Sequence, residues 1–478
     1  MRNDIIGRTY ECERLEACLN STQTQLIVVC GRRGIGKTFL IDEFFGRKFT
    51  FKITGVYDQA KDIQLRSFTA ELICKTGKKW KTPKNWTQAF DHLRTHLEQL
   101  DALEKQIVFF DEMPWLDTRR SDFRPAFERF WNDWGSARPN LVFIICGSAV
   151  YWLDKTFSEN KERLFNRQTC RLHLKPFTLH ETECFLQSRG ITWPRDGIAG
   201  CYMIMGGIPA YLSALNGKYS PTQNIDCLFF SPHGEFRNEF DHLYKAIFSN
   251  SHLHIRIAGA LSTKRGGLSR SEICQQTVIS DNGALTKALG NLTAAGFVRI
   301  NRFNGKKAKD TRYQLSDHYS LFYFRLMNDT PGEDPHDWHH CADLPARRVW
   351  SELAYESLCL EHLPQIKQKL GISGVSSEES VWSSSGNEEL GISAAQIDLL
   401  IERSDRIISL CEIKYSTEAF VIDKAVDLAL RNKISAFKTQ TKTKKSVQLI
   451  LLTTHGVKKN LYSRIAQNQV TLDDLFRP

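Results

Sequence analysis

The residues Gly31-Arg32-Arg33-Gly34-Ile35-Gly36-Lys37-Thr38 follow the apolar run Leu26-Ile27-Val28-Val29-Cys30 and lead into Phe39-Leu40-Ile41-Asp42-Glu43, an amphipathic helix start. The spacing G-x-x-x-x-G-K-T between a buried strand and a helix is the P-loop signature. Gly31, Gly34 and Gly36 let the backbone curl until successive N–H groups point inward and cradle phosphate oxygens. Lys37 then sets a cation against the β- and γ-phosphates, and Thr38 offers a hydroxyl to Mg²⁺. The helix N-terminus adds partial positive charge. A glycine-rich turn that merely contains a lysine is the plain alternative.

Two carboxylates, Asp111 and Glu112, end a second apolar run, Gln106-Ile107-Val108-Phe109-Phe110. At the tip of a central strand Asp111 is expected to hold Mg²⁺, and Glu112 to orient or deprotonate the attacking water. Alone, this pattern also fits a strand followed by a turn; its distance of about two βα units from the P-loop favours the nucleotide. A third run, Leu141–Cys146, ends in Gly147-Ser148, where Ser148 is placed to sense the γ-phosphate.

A further set lies near the C-terminus, in a stretch that reads as a β-hairpin turning at Ser404-Asp405. Strand alternation sets Glu412 and Lys414 on one face. Asp398 joins that face if a three-residue loop, Arg403-Ser404-Asp405, sets it opposite Leu410 and diagonal to Glu412, within about 7–8 Å. A hard divalent cation, Mg²⁺ or Mn²⁺, would take oxygens from both carboxylates. Lys414 would position a water or offset phosphate charge. Leu400, Ile408 and Leu410 share the face, so helices are expected to cover it. Charges there are costly without a metal or another partner. An ordinary exposed hairpin is the alternative.

These residues need elements to hold them. Strands alternating with helical stretches at 62–76, 87–100 and 121–134 predict a parallel α/β sheet with ligands at the carboxyl ends of its strands. Residues 252–315 read as three helices and a basic hairpin, a winged helix-turn-helix. Its signals are the capping box Ser269-x-x-Glu272, the helix start at Asp281-Asn282, the stop at Gly296 and the Asn304-Gly305 turn. Thr286 and Lys287 would then face a DNA groove, and Arg302, Lys306, Lys307 and Lys309 its phosphates. A packing or relay domain with a solvated loop is the other reading. The cluster His336, His339, His340, Cys341 has a spacing that matches no common zinc finger.

The 478 residues suggest about three domains at roughly 100–200 residues each. Apolar residues at 41 % and charged residues at 25 % exclude global disorder and collagen-like repeats. A net charge of +10 permits a nucleic-acid partner without demanding one. The thirteen cysteines include no C-x-x-C pair, which argues against a disulfide framework or zinc ribbon and for a reducing cytosol. No apolar stretch reaches the ~20 residues of a membrane span, and the N-terminus has no signal-peptide core. A cytoplasmic protein without a membrane partner is the expectation.

The segments IIGRTYECERL, GRRGIGKT, IVFFDEMPWL, IICGSAVYWL, LFNRQTCRLHLKPF and GGIPAYL, in this order through residues 1–230, resemble the archaeal-type ATPase family of AAA+/STAND P-loop NTPases. The resemblance implies ATP and Mg²⁺ as cofactors, Gly7 and Arg8 near the adenine, Ser148 as sensor and Arg167 facing the nucleotide. Asn166 stands where the family usually has glycine, and a surface salt bridge is the other role for Arg167. Pro209, in the small helical lid, would pack on the base or serve only as a turn breaker. A D-x(13)-E-x-K pattern after a helix resembles the PD-(D/E)xK nuclease superfamily, and more closely the DUF234 domain that follows such ATPase modules. Glu356 on the preceding helix then matches the superfamily's additional acidic metal ligand; the proline of its name is absent before Asp398.

The expected fold class is multidomain α/β: a P-loop ATPase core (1–175), a helical lid (176–245), a winged helix (246–327), a linker (328–345) and a restriction-endonuclease-like domain (346–478). The expected function is an ATPase coupled to a metal-dependent nuclease acting on nucleic acid, with DNA favoured. A regulatory ATP switch that binds nucleic acid or protein without cleavage is the competing one. A homo-oligomer is compatible with both.

Overall fold

The computed structural model describes residues 5–118, 121–158, 164, 167–248, 250–302, 311–328, 337–340, 344–386 and 394–478. They form two compact units, Met1–Pro176 with Lys245–Ser249, and Phe177–Tyr244 with Asn250–Pro478. The three modules expected after residue 176 are thus gathered in one unit.

The first unit holds a five-stranded parallel sheet of β1 (Gln25–Cys30), β2 (Phe51–Thr54), β3 (Gln106–Asp111), β4 (Leu141–Gly147) and β5 (Cys170–His173), in the order β2-β3-β4-β1-β5. The continuous apolar runs become the central strands because both faces are covered; β1 and β4 are buried at every position. The edge strands β2 and β5 are shorter and only alternately buried, which is why no apolar run announced them. Helices Lys61–Thr76, Trp86–Glu98 and Phe123–Asp133 stand close to the three expected stretches. One face of the sheet packs Ile27, Val29, Phe109, Val142 and Ile144 against Leu15, Ile41 and Phe44. The other packs Phe110 and Phe143 on an aromatic layer of Phe90, Phe127 and Phe130.

The second unit contains two sheets. Helices Ser251–Ser262, Arg270–Thr277 and Gly283–Ala294 accompany an antiparallel sheet of β6 (Leu268–Ser269), β7 (Val298–Asn301) and β8 (Arg312–Leu315), ordered β6-β8-β7. Ser269 and Glu272 form the expected capping box, and Asn282 caps the third helix through the Ala284 and Leu285 amides. The Asn304-Gly305 turn and Lys306, Lys307 and Lys309 lie outside the described residues.

Glu272 also pairs with Lys264 (2.6 Å) and Arg312 (3.1 Å). Against the opposing effect of burial, Lys264 and the Ser269 bonds hold its carboxyl down at about 2. A depressed folded value means that its stabilisation is complete above the unfolded carboxylate range, near 4.3, and is lost as pH falls toward about 2. Ser269→Ala is expected to cost about 1 kcal/mol at pH 7 and less at pH 3, read from urea unfolding at the two values. An equal cost at both would show that the Glu272 charge plays no part.

The larger sheet comprises β9 (Ser377–Ser384), β10 (Ala395–Arg403), β11 (Ile407–Lys414), β12 (Ser446–Thr453) and β13 (Asn468–Thr471), ordered β13-β12-β11-β10-β9. β9, β10 and β11 are antiparallel neighbours; β11, β12 and β13 run parallel, with helix Lys424–Thr441 crossing over between β11 and β12.

The hairpin register differs from the expected one. Leu400 pairs with Leu410 and Leu399 with Cys411, so the loop is Ser404-Asp405-Arg406. Continuing that ladder by one residue sets Asp398 opposite Glu412, not Leu410. The physical reason is Arg406, whose φ of 67° closes a three-residue loop one position later than expected. An arginine in the left-handed region carries no sequence signal.

Candidate functional site

The loop from Gly31 to Gly36 joins β1 to the helix Lys37–Phe44 at the carboxyl ends of the parallel strands. Gly36 has φ 87°, a left-handed value that side chains oppose. Gly31 answers to close approach as well: a Cβ there would stand 2.6 Å from the Leu174 carbonyl oxygen.

Lys37 is buried, and its Nζ donates to the carbonyls of Gly31 (3.0 Å) and Arg32 (3.1 Å) and to Ser148 Oγ (3.3 Å). Glu112 Oε1 lies 3.9 Å from the same ammonium. Thr38 Oγ1 donates to both oxygens of Asp111 at 3.0 Å. Ser148 follows β4, the strand between β1 and β3, and so reaches both neighbours. Its amide donates to Glu112 Oε2 at 3.0 Å and its hydroxyl to Oε1. Three adjacent strand ends therefore deliver Lys37, Thr38, Asp111, Glu112 and Ser148 to one place.

Burial pushes the Asp111 carboxyl above its ordinary value and the Glu112 charge adds to this, while the Thr38 and Cys146 hydrogen bonds and Lys52 oppose it. A divalent cation would stabilise the ionised form. The paired hydroxyl and carboxylate are the small, hard-oxygen donor set that suits Mg²⁺. The Cys146 contact was not anticipated; this thiol read only as a small hydrophobe in an apolar run.

Arg8 is buried with φ 59° and donates to the Ile35 carbonyl of the loop at 3.3 Å, beside Gly7 with φ 63°. Arg167 does not join the group. It is exposed and precedes β5, next to Thr169, whose amide donates to Leu26 at the start of β1. In a parallel sheet a residue before a strand stands at the opposite edge from one after it, so Arg167 is away from its own chain's cradle. Pro209 belongs to the second unit, where its fixed φ opens the short helix Pro209–Leu212.

The C-terminal acids are almost fully buried, and each already holds a cation of the chain. Arg265 Nε donates to Glu356 at 2.7 Å and its NH2 to Asp398 at 2.9 Å. Gln314 takes the other Glu356 oxygen at 3.1 Å, and the Ile413 amide donates to Asp398 at 3.2 Å. Glu412 is held by Lys433, at 2.7 Å from both its oxygens, and by Lys414 at 3.1 Å. Lys433 comes from the crossover helix that covers Leu400, Ile408 and Leu410.

Burial, with the Glu356 and Glu412 charges nearby, raises the Asp398 carboxyl; Arg265 and Lys433 pull it the other way. Among the described residues no group of three or more His, Cys, Asp or Glu is arranged to hold a metal ion. As they stand, Glu356, Asp398 and Glu412 do not fit a divalent cation, because their oxygens are committed to internal cations. Sequence reading missed Arg265 and Lys433, whose only signal was being basic.

No protein-family model matches the chain. It is 24 % identical over 326 residues to the uncharacterized protein MJECL04 of Methanocaldococcus jannaschii, covering 68 % of this chain and 69 % of that one. Among solved structures, it is similar to the Walker-type ATPase PABY2304 of Pyrococcus abyssi, with 18 % identity, a TM-score of 0.49 and coverage of 68 % and 97 %. The ORC2 protein of Aeropyrum pernix, in ADPNP and ADP complexes, has 16 % identity, a TM-score of 0.40 and coverage of 75 % and 96 %. No helix among the described residues is long and apolar enough to cross a membrane.

Proposed function

We propose that the first unit binds and hydrolyses ATP as an ATPase of the AAA+/STAND type. The observation that carries this reading is the convergence of Lys37, the Thr38–Asp111 pair and the Glu112–Ser148 pair on one phosphate-cradling loop. Thr38 and Asp111 would hold Mg²⁺, which when bound neutralises charge on the phosphates. The loop amides and Lys37 bind the β- and γ-phosphates, and Glu112 orients the attacking water and accepts its proton. Ser148 holds the Glu112 carboxylate in position, and Gly7 with Arg8 borders the adenine.

An ATP-dependent rise in melting temperature with Mg²⁺ present tests this. Saturation at about 100 times Kd adds roughly 2.7 kcal/mol to stability. Lys37→Ala is expected to abolish the rise while leaving the nucleotide-free melting temperature near that of the wild type. An undiminished rise in the variant would remove Lys37 from the site.

For the second unit, nucleic acid, DNA first, is the proposed partner. In the three-helix module, Thr286, Lys287 and Arg302 are exposed and would offer the contacts. The larger sheet has two readings: a nuclease-like domain of the PD-(D/E)xK and DUF234 kind, in which Asp398, Glu412, Lys414 and Glu356 cut phosphodiesters, or a degenerate relative that binds without cutting. The internal ion pairs on all three carboxylates favour the second for the arrangement described.

A further inference from the structure

Arg265 separates those two readings. It sits in the turn between helix Ser251–Ser262 and β6, in the run Lys264-Arg265-Gly266-Gly267. Gly267 has φ 81°, and a Cβ on it would stand 2.3 Å from the Tyr313 carbonyl oxygen. Only glycine lets the turn press onto β8 so closely, and this seating carries the guanidinium to acids of the other module.

The fork then spans Glu356, on the helix Pro345–Glu361, and Asp398, on β10. Both carboxylates are 3 % exposed, so each would be strongly destabilised without a counter-charge. A third acid, Glu352, stands 3.7 Å from the same guanidinium at the rim. A divalent ion drawing oxygens from Glu356 and Asp398 at about 2.0–2.6 Å needs the space and lone pairs that the fork now holds. The two cations are therefore mutually exclusive.

The guanidinium is not sealed in. Arg265 is 29 % exposed and borders a groove of about 260 Å³, lined also by Lys264, Arg312, Trp382 and Gln396. That space gives the side chain somewhere to go without unfolding either module.

We propose that Arg265 is a built-in gate on the acidic site: its guanidinium stands in for a divalent cation at Glu356 and Asp398, and its withdrawal opens that pair to metal. The proposal rests on the nuclease-like reading of the carboxylates but is tested apart from it. With its fork in place the gate ties the three-helix module to the larger sheet; with the fork withdrawn, the acids need a new cation.

The test is Mn²⁺ binding to the full chain without nucleotide, by calorimetry and by the spin-resonance signal of free Mn²⁺. Arg265→Gln is expected to take up one Mn²⁺ more than the wild type, and Asp398→Asn in the same chain to abolish that gain. Wild type and Arg265→Gln titrating alike would overturn the gate. If Arg265→Gln fails to fold, Arg265→Lys keeps a cation but cannot fork across two carboxylates. It is expected to bind Mn²⁺ about tenfold more tightly than the wild type, and equal binding would again overturn the gate.

Plasmid cleavage separates the two ideas. A gained Mn²⁺ site with intact plasmid leaves the gate standing and removes the cutting reading. Lys414-dependent cleavage by the wild type, with no Mn²⁺ gained in Arg265→Gln, does the reverse.

Discussion

Glu112→Gln is expected to leave ATP binding in place and to lower turnover by about 10²–10⁴-fold, the usual worth of a positioned general base. The amide retains the shape of the carboxylate and still accepts from the Ser148 amide, which the carboxylate now does at 3.0 Å. What it loses is the capacity to take a proton from water. Phosphate release under saturating ATP, set beside the ATP-dependent melting shift, reads the two effects separately. Loss of the melting shift together with turnover would mean that Glu112 shapes the binding site. Unchanged turnover would mean that another group handles the proton.

Trp86→Ala should cause the largest loss of stability in the first unit, about 3–5 kcal/mol. Trp86 is fully buried and meets Phe123 edge-to-face at 4.8 Å and Phe68 at 6.0 Å. Phe68 and the neighbouring Phe90 pack in turn on Phe51 and Phe110, in the strands β2 and β3. Truncation leaves a cavity that this layer of rigid rings fills poorly. The loss would appear as a lower urea midpoint for the transition that bound ATP raises, since that transition reports the nucleotide-binding unit. A loss below about 1 kcal/mol would show that the rings repack, against the cavity argument.

The legible parts of the sequence were those whose physics is local. Continuous apolar runs became the buried central strands because such runs can satisfy neither water nor an amphipathic helix. G-x-x-x-x-G-K-T placed the cradle because its glycines, lysine and threonine act within eight residues of one another. The capping box at Ser269 and Glu272 is equally short-ranged, and it formed as expected. Asp111 and Ser148 belonged to the same kind of inference, since a parallel strand that ends in a polar residue must present it at the sheet's carboxyl edge.

Contacts that carry no period and no spacing were decided by the tertiary structure alone. Arg265 meets Asp398 across 133 residues, and nothing in either local sequence marks the other. An ion pair asks only for opposite charges at hydrogen-bond distance, a condition that many of the chain's basic side chains could meet until docking chose one. The hairpin register turned on the left-handed φ of Arg406, a conformation that no glycine or asparagine advertised. Arg167 fell at the far edge of its sheet because strand direction, not residue type, assigns an end. Sequence therefore specified the elements and the nucleotide cradle, where the decisive forces act between near neighbours. Packing of distant elements determined which charges face which, and so whether the C-terminal carboxylates meet a metal or an arginine.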